Sequence, residues 1–384
     1  MSEAKWGEII ERARNDALSD QQIADIAVDF ANSGKTEVLR DWKTADVAST
    51  GGPSSLSTLL APLFLVRAGY VVPKLGVPGR PAGGLDVLAQ IPGYRIEIGE
   101  IELRQILTES GYAHFISAGA YAPLDLEVFR LRQRMGAQAV PALVIASLLS
   151  KKIAVDVKTI GLDVRVAPHG NFGQDYREGR ANTKRFIRVA SLLDRHVVCV
   201  LTDATIPFQP YLGRGEAIWA LKRIFSGEME NWLLRHVQQC GKIAMAVSHD
   251  DDSFSLNALQ QVFEDNLQAQ GTNFDAFCEI AEKVENDHRY VLESPRDGFV
   301  RYDLVKLRST IVSIQNVFQP TGPLPDPIGV RLLVDVGDAV ETGQPVMSVR
   351  VPDDLKEACH LELRKCFNVL KTFQPRKKDE VVYD

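Results

Sequence analysis

The sequence predicts an α/β protein built on a mainly parallel sheet, with a β-rich module towards its C-terminal end. Short buried-strand patterns at Gly161–Val166 and His196–Leu201 are separated by a polar helical stretch, Arg180–Leu193, so strands alternate with helices. From Tyr290 to Val351 the chain turns rich in β-branched residues, Gly and Pro, with turn signals at Val334–Asp338 and Gly343–Pro345. The composition is ordinary for a globular protein: 384 residues, 45% hydrophobic, 24% charged and 8% aromatic. That excludes disordered, collagen-like and fibrous classes, and the length suggests two or three domains.

Each element follows from a local signal. Trp6–Arg14 and Asp20–Asn32 read as amphipathic helices; Ile9, Ile10 and Ala13 fall at helical spacing, and Ser19 caps the second ahead of Gln21-Gln22-Ile23. Gly34 ends the pair. Asp46–Gly52 reads as a loop that runs directly into the apolar helix Leu56–Ala68. Gly69–Lys74 reads as a short strand. Gly76–Gly84 holds four glycines and two prolines in nine residues and is a loop of special backbone geometry. Leu85–Gln90, Glu100–Ser110 and Asp125–Met135 read as helices, as does Val140–Ala154, which starts on the first-turn residue Pro141. A helical stretch spans Arg214–Lys283, broken at Gly227 and at Asp250–Ser253, and a helix at Asp354–Phe367 closes the β-rich module. The tail Arg376–Asp384 reads as frayed.

Charge and cysteine content narrow the partners. Forty-four basic against fifty acidic residues give a net charge of −6, no footprint for a nucleic-acid binder. Five cysteines without a CxxC read as free thiols of a reducing compartment, not as a disulfide frame or zinc site. Met1–Arg14 lacks a signal-peptide core, and the longest apolar runs, Leu59–Val66 and Val140–Leu149, fall short of the roughly 20 residues of a membrane span. The expectation is a cytoplasmic protein with no nucleic-acid or membrane partner, acting on a small molecule.

Two constellations could carry chemistry. Asp46-Val47-Ala48-Ser49-Thr50-Gly51-Gly52-Pro53-Ser54-Ser55-Leu56-Ser57-Thr58 places hydroxyls and paired glycines before an apolar helix, the make-up of an anion cradle. The same make-up serves a Ser/Gly-rich helix N-cap. Ser147 and Lys151 lie four apart, hence on one helix face, with Arg132 on the preceding helix. A lysine there also serves as a plain partner for the helix C-terminus. No Ser-His-Asp order, Walker loop, Rossmann fingerprint or zinc spacing is present. His249-Asp250-Asp251-Asp252 reads as a solvated turn; His169 follows a strand, where α/β enzymes place ligand loops.

Taken together, Ser49-Thr50-Gly51-Gly52, Gly83-Gly84-Leu85-Asp86, Ile91-Pro92-Gly93, Ala146–Lys152, Asp163–Val166, Leu201-Thr202-Asp203, Asp326–Gly329 and Val336-Gly337-Asp338 resemble the thymidine/pyrimidine-nucleoside phosphorylase family. The likeness spans nearly the whole chain. It implies a small helical domain (1–44 with 119–155), a larger α/β domain with the anion site (45–118 with 156–288) and a C-terminal α+β domain (289–384). It implies that Arg132, Ser147 and Lys151 hold the base, with Lys151 and Arg132 catalytic. Lys151 would stabilise the anionic pyrimidine electrostatically as the N-glycosidic bond breaks, and Arg132 would act as a planar clamp. A family tyrosine near the arginine is Phe129 here.

The phosphate half departs from the resemblance. Ser49 stands at a phosphate serine and Thr58 replaces a second, but the family's lysine is Val47, its histidine Ala48, a later serine Gly76 and a further threonine Gly84. Ser49, Thr50, Gly51, Gly52, Thr58 and Arg80 are the anion-site candidates, with Lys74 and Arg165 as further sources of charge. Losing one charge-assisted hydrogen bond weakens binding by roughly 1.5–3 kcal/mol. No metal or cofactor is expected, only inorganic phosphate as co-substrate. Glu216 falls one position out of register with a cation-binding glutamate, so no cation site is expected. The N-terminal helical region is short, which bears on whether a homodimer forms. Three activities follow: phosphorolysis of a pyrimidine nucleoside; the same pocket with another acceptor or a phosphorylated substrate; or ligand binding without catalysis.

Overall fold

The computed structural model describes residues 3–79, 81–116, 120–168, 170, 172–248, 255–318, 324–372 and 380–383. Helices α1 (Glu3–Arg14) and α2 (Asp20–Asn32) open the chain. The expected cap on α2 is a capping box: Gln22 N–H donates to Ser19 Oγ (3.2 Å) and Ser19 N–H to Gln22 Oε1 (3.0 Å). Then come β1 (Ala45–Ser49), α3 (Ser57–Arg67), β2 (Val72–Gly76), α4 (Gly84–Leu88), α5 (Glu100–Ser110) and β3 (Tyr112–Ile116). Helices α6 (Pro123–Arg134) and α7 (Pro141–Ala154) precede β4 (Thr159–Val166), α8 (Tyr176–Ser191) and β5 (His196–Asp203).

The architecture is mixed α/β with a mainly parallel sheet, as the sequence predicts. Strands β1, β4 and β5 pair in parallel, and β2 and β3 form a second parallel pair, tied to the first through a Thr44–Val71 bridge. Alternation along β5 builds the two layers. Val197, Cys199 and Leu201 face a core shared with α2, α7 and α8, while Val198 and Val200 face a core shared with α3, α4 and the helices that come after β5.

After β5 come β6 (Tyr211–Leu212) and the helices α9 (Arg214–Phe225), α10 (Asn231–Ser248), α11 (Leu256–Ala269) and α12 (Phe274–Asn286). The helical stretch therefore breaks once more than expected, between Ala269 and Phe274. The C-terminal module holds β7 (Tyr290–Glu293), β8 (Gly298–Tyr302), α13 (Leu304–Phe318), β9 (Gly329–Leu332), β10 (Ala339–Val340), β11 (Pro345–Arg350), α14 (Lys356–Leu363) and β12 (Phe367–Leu370), and the last strand, β13 (Glu380–Tyr383), returns to the first sheet. Two antiparallel sheets, β6-β9-β11-β7 and β10-β8-β12, enclose a third core.

Several expectations are corrected. Asp46–Ser49 is strand, not loop; a buried carboxylate masks the strand pattern in the sequence. β3 gave no sequence signal. Helix α13 lies inside the region expected to be β-rich: its β-branched residues suggest strand, but Leu304, Leu307, Ile311 and Ile314 recur at helical spacing and are buried. The closing helix is shorter than Asp354–Phe367, being α14 flanked by single 3-10 turns, and Phe367 begins β12. The tail is not simply frayed: β13 pairs antiparallel with β5, from Glu380–Leu201 to Tyr383–Val198, and covers that strand's open edge. His169 and His249–Asp252 lie outside the described residues. Among the described residues no helix is long and apolar enough to cross a membrane, and no cluster of potential metal ligands occurs.

Helix α3 lacks a side-chain cap of its own, and His236 of α10 supplies one: Leu56 N–H donates to its Nε2 at 2.8 Å. Burial pushes this imidazole down from 6.5 to about 4. Below pH 6.5 the unfolded chain takes up a proton that the folded one refuses until about pH 4, so stability falls across that window. The loss amounts to at most about 3 kcal/mol. Thermal melts at pH 7 and pH 4.5 should therefore show a smaller drop for His236→Gln than for the wild type; equal drops would remove this role.

Candidate functional site

Three segments converge on a cavity of about 260 Å³: the β1–α3 loop, the glycine-rich β2–α4 loop and the α6–α7 pair. Of the residues the sequence singled out, Ser49, Thr50, Gly51, Gly52, Thr58, Lys74, Arg132, Ser147, Lys151 and Arg165 all line it. Arg80 lies outside the described residues.

At the loop end, Gly51 (φ +107°) and Gly52 (φ +121°) take backbone angles that L side chains rarely adopt, which lets the chain turn from β1 into α3. Their N–H groups have no partner among the described residues, nor do the half-buried hydroxyls of Ser49 and Thr58. Thr50 is instead built into the frame: its N–H donates to Asp163 O (3.1 Å), and its Oγ1 accepts from Arg165 N–H (2.8 Å). The start of α3 is also spent internally, because Leu56 N–H goes to His236 and Ser57 N–H to Ser55 Oγ (3.1 Å). The cradle thus rests on the glycines and the two open hydroxyls more than on the helix end.

Charge reaches this end from elsewhere. Asp46 is fully buried on β1; Lys74 Nζ lies 2.6 Å from its Oδ1, and Lys152 Nζ of α7 contacts its Oδ2. Lys74 also donates to Val47 O at 2.6 Å. Burial pushes the Asp46 carboxyl up, but Lys152 and Lys74 outweigh burial and hold it below its usual range. One carboxylate between two ammonium groups leaves a surplus positive charge beneath the cavity. The Val47 side chain contributes nothing there, since alternation turns it into the core under α3. Arg165 is the less available charge: it pairs with Asp163 (3.0 Å) and donates to Ser57 Oγ (2.8 Å) and Gly51 O.

At the other end, Leu126, Phe129, Val144 and Leu148 form an apolar slot around Ser147 and Lys151. The shared helix face brings Lys151 Nζ to Ser147 Oγ (3.0 Å) and Ser147 O (2.8 Å), and Asp125 of α6 pairs with the same ammonium. Burial pulls the Lys151 ammonium below its usual range, and Asp125 opposes that shift. Arg132 is more of a strut than expected. It donates to the carbonyls of Ala137 (3.3 Å), Leu143 (3.2 Å) and Gln138, bracing the α6–α7 connection while it borders the cavity. Glu216 is spent far from this chemistry, fully buried between Arg350 and Arg289.

Asp125, Lys152 and His114 are site residues that sequence reasoning missed. No spacing rule links them to the cavity; only the tertiary fold does. His114 of β3 borders the cavity, and its Nδ1 lies 2.8 Å from Tyr112 Oη.

Fold and site together describe an α/β protein with a polar, cation-rich cavity between a glycine loop and a helix pair. Over most of its length the chain is similar to proteins named pyrimidine-nucleoside phosphorylase. It is 23% identical to the one from Geobacillus stearothermophilus over 368 residues, covering 90% of this chain and 85% of the relative. Those from Staphylococcus epidermidis (23% over 350 residues) and Staphylococcus aureus (24% over 356 residues) each cover 86% of this chain and 80% of the relative. The relationship is distant. No protein-family model matches the chain.

The Asp46 trio sets a stability test. Asp46→Asn leaves two buried ammonium groups facing each other without a counter-charge and should cost about 3–5 kcal/mol in denaturant unfolding. Lys152→Met should cost clearly less, because the Asp46–Lys74 pair survives. The reverse order would show that the trio does not carry this part of the fold.

Proposed function

We propose that the chain is a pyrimidine-nucleoside phosphorylase-like glycosyl-transfer enzyme, a pentosyltransferase that cleaves the N-glycosidic bond of a pyrimidine nucleoside to free base and sugar 1-phosphate. The observation that carries this reading is the joining of the Ser147–Lys151 pair and the open Ser49–Gly52 loop in one cavity. The similarity to proteins named for this activity supports it. The apolar slot takes the planar base. As the bond breaks, negative charge grows on the pyrimidine, and Lys151 with the Ser147 hydroxyl would stabilise it. Arg132, held rigid by its three carbonyls, borders the same slot. Inorganic phosphate, as co-substrate, would sit against Ser49, Thr58 and the glycine amides and attack the sugar carbon as the base departs.

A second reading, a substrate that carries its own phosphate, is favoured by Arg308. This cation of α13 lines the cavity and has no partner among the described residues.

The test is chromatography of free uracil, thymine or cytosine released from nucleosides and nucleotides, with and without added phosphate. Release that rises with phosphate supports phosphorolysis. Release without it supports another acceptor, and no release from any substrate sinks the enzymatic reading. Lys151→Ala should lower turnover by about a thousandfold with little loss of fold, because it removes a charge at the reacting base and little core volume. Wild-type turnover in that variant would overturn the assignment. Only the charged Lys151 stabilises the departing base, so kcat/KM should fall as pH rises through its lowered pKa. Asp125 raises that pKa, so Asp125→Asn should move the alkaline limb of the pH profile to lower pH.

A further inference from the structure

The parallel pairing of β2 with β3 sets Lys74 and His114 directly opposite each other, so their side chains share one face, and both border the cavity. The His114 ring is held at Nδ1 and its backbone is clamped. Tyr112, two residues earlier and therefore on the same face, places its Oη 2.8 Å from Nδ1. Gln270 grips the His114 backbone, accepting from its N–H (2.8 Å) and donating to its carbonyl (3.0 Å). Gly84 leaves room for the ring: a Cβ there would lie against Cε1 and 3.1 Å from Nε2, whereas one at Gly76 would run into Leu85 and only touch the imidazole.

The tautomer follows from these contacts. Burial, with Lys74 next, keeps the imidazole well below its usual pKa and hence neutral, while burial keeps the Tyr112 phenol protonated. Among the described residues Tyr112 Oη has no other hydrogen-bond partner, so its proton goes to Nδ1 and the ring proton resides on Nε2. That Nε2–H has no acceptor among the described residues. The charged groups acting on it are Lys74, Asp46 and Lys152, which sum to one positive charge.

We propose that Lys74 and His114 form a tetrahedral oxyanion site on the cavity floor, with Lys74 supplying charge and His114 Nε2–H a directional donor. The site deepens the reading above and rests on it in taking this cavity as the reaction site. Its ligand is a phosphate group, either free or carried by the substrate. The positive charge and the donor that Val47 and Ala48 cannot provide come from the neighbouring strand pair, and the imidazole occupies the space that a side chain at Gly84 would take.

Isothermal titration of the full-length protein with inorganic phosphate, and separately with uridine 5′-monophosphate, tests this. His114→Ala should weaken phosphate binding by about tenfold, the loss of one hydrogen bond to a charged ligand. His114→Gln, which keeps a donor near the Nε2 position, should stay within about threefold of wild type. Lys74→Met leaves only the neutral Asp46–Lys152 pair and should weaken binding by about a hundredfold. Gly84→Ala should displace the ring and match His114→Ala, and the two changes combined should weaken binding no further. Melting temperatures identify any variant that fails to fold; should His114→Ala do so, His114→Gln and Gly84→Ala carry the test. If affinity falls for the nucleotide alone, the site is confirmed and its oxyanion is the substrate's own. Wild-type binding by His114→Ala, or no binding of either probe by the wild type, overturns the proposal. Phosphate binding that depends on His114 without any base release would keep the site and sink the phosphorylase reading instead.

Discussion

The cavity depends on a single buried carboxylate. Asp46 lies between Lys74 and Lys152 and so ties β1 to β2 and both to α7. Buried alone, the acid would take a proton; with two ammonium groups beside it the carboxylate persists. Apolar side chains of similar volume would hold these three segments together about as well. What the charged trio adds is an uneven sum, one negative against two positive, placed where the cavity meets the sheet. A cavity floor with surplus positive charge in a water-poor setting is matched only when an anion arrives.

Helix α7 carries this logic to both ends of the cavity. Lys151 and Lys152 are consecutive, so their side chains leave the helix about 100° apart. Lys151 turns to Asp125 and Ser147 at the apolar slot, and Lys152 turns to Asp46 at the sheet. One rigid element thus fixes the spacing between the end suited to a planar ring and the end suited to an anion. The carbonyls that hold Arg132 brace the same helix at its start. The charged side chains at both ends thus sit on helices and strands, which hold them more precisely than loops would.

Much of this was legible in the sequence wherever the signal is periodic. The amphipathic helices, the cap at Ser19 and the alternation of helix with strand follow from local pattern, as does the pairing of Ser147 with Lys151 four residues on. What failed did so for tertiary reasons. β1 is hidden because Asp46 breaks an apolar run, and its counter-charges come from residues 28 and 106 positions away. β3 is hidden because Tyr112 and His114 are polar residues whose partners are each other. Helix α13 is hidden because its β-branched residues favour strand until packing against the C-terminal core decides otherwise. Asp125 and His114 carried no motif, and Arg132 gave no hint that carbonyls would hold its guanidinium.

The departures at Val47, Ala48, Gly76 and Gly84 look like the loss of a site only while each position is taken singly. Placed in the fold, they lie around the Lys74–His114 pair that we propose takes over the oxyanion. Val47 is turned into the core, and its backbone carbonyl accepts from Lys74, so a lysine still reaches the level of β1. Gly84 lacks a side chain where the imidazole of His114 packs, and Gly76 lacks one where Leu85 packs. An anion responds to the position and direction of charge and of N–H groups, whichever strand brings them. Register pairing places Lys74 beside His114, so on our proposal the cation and the directional donor stay together although different chain positions supply them.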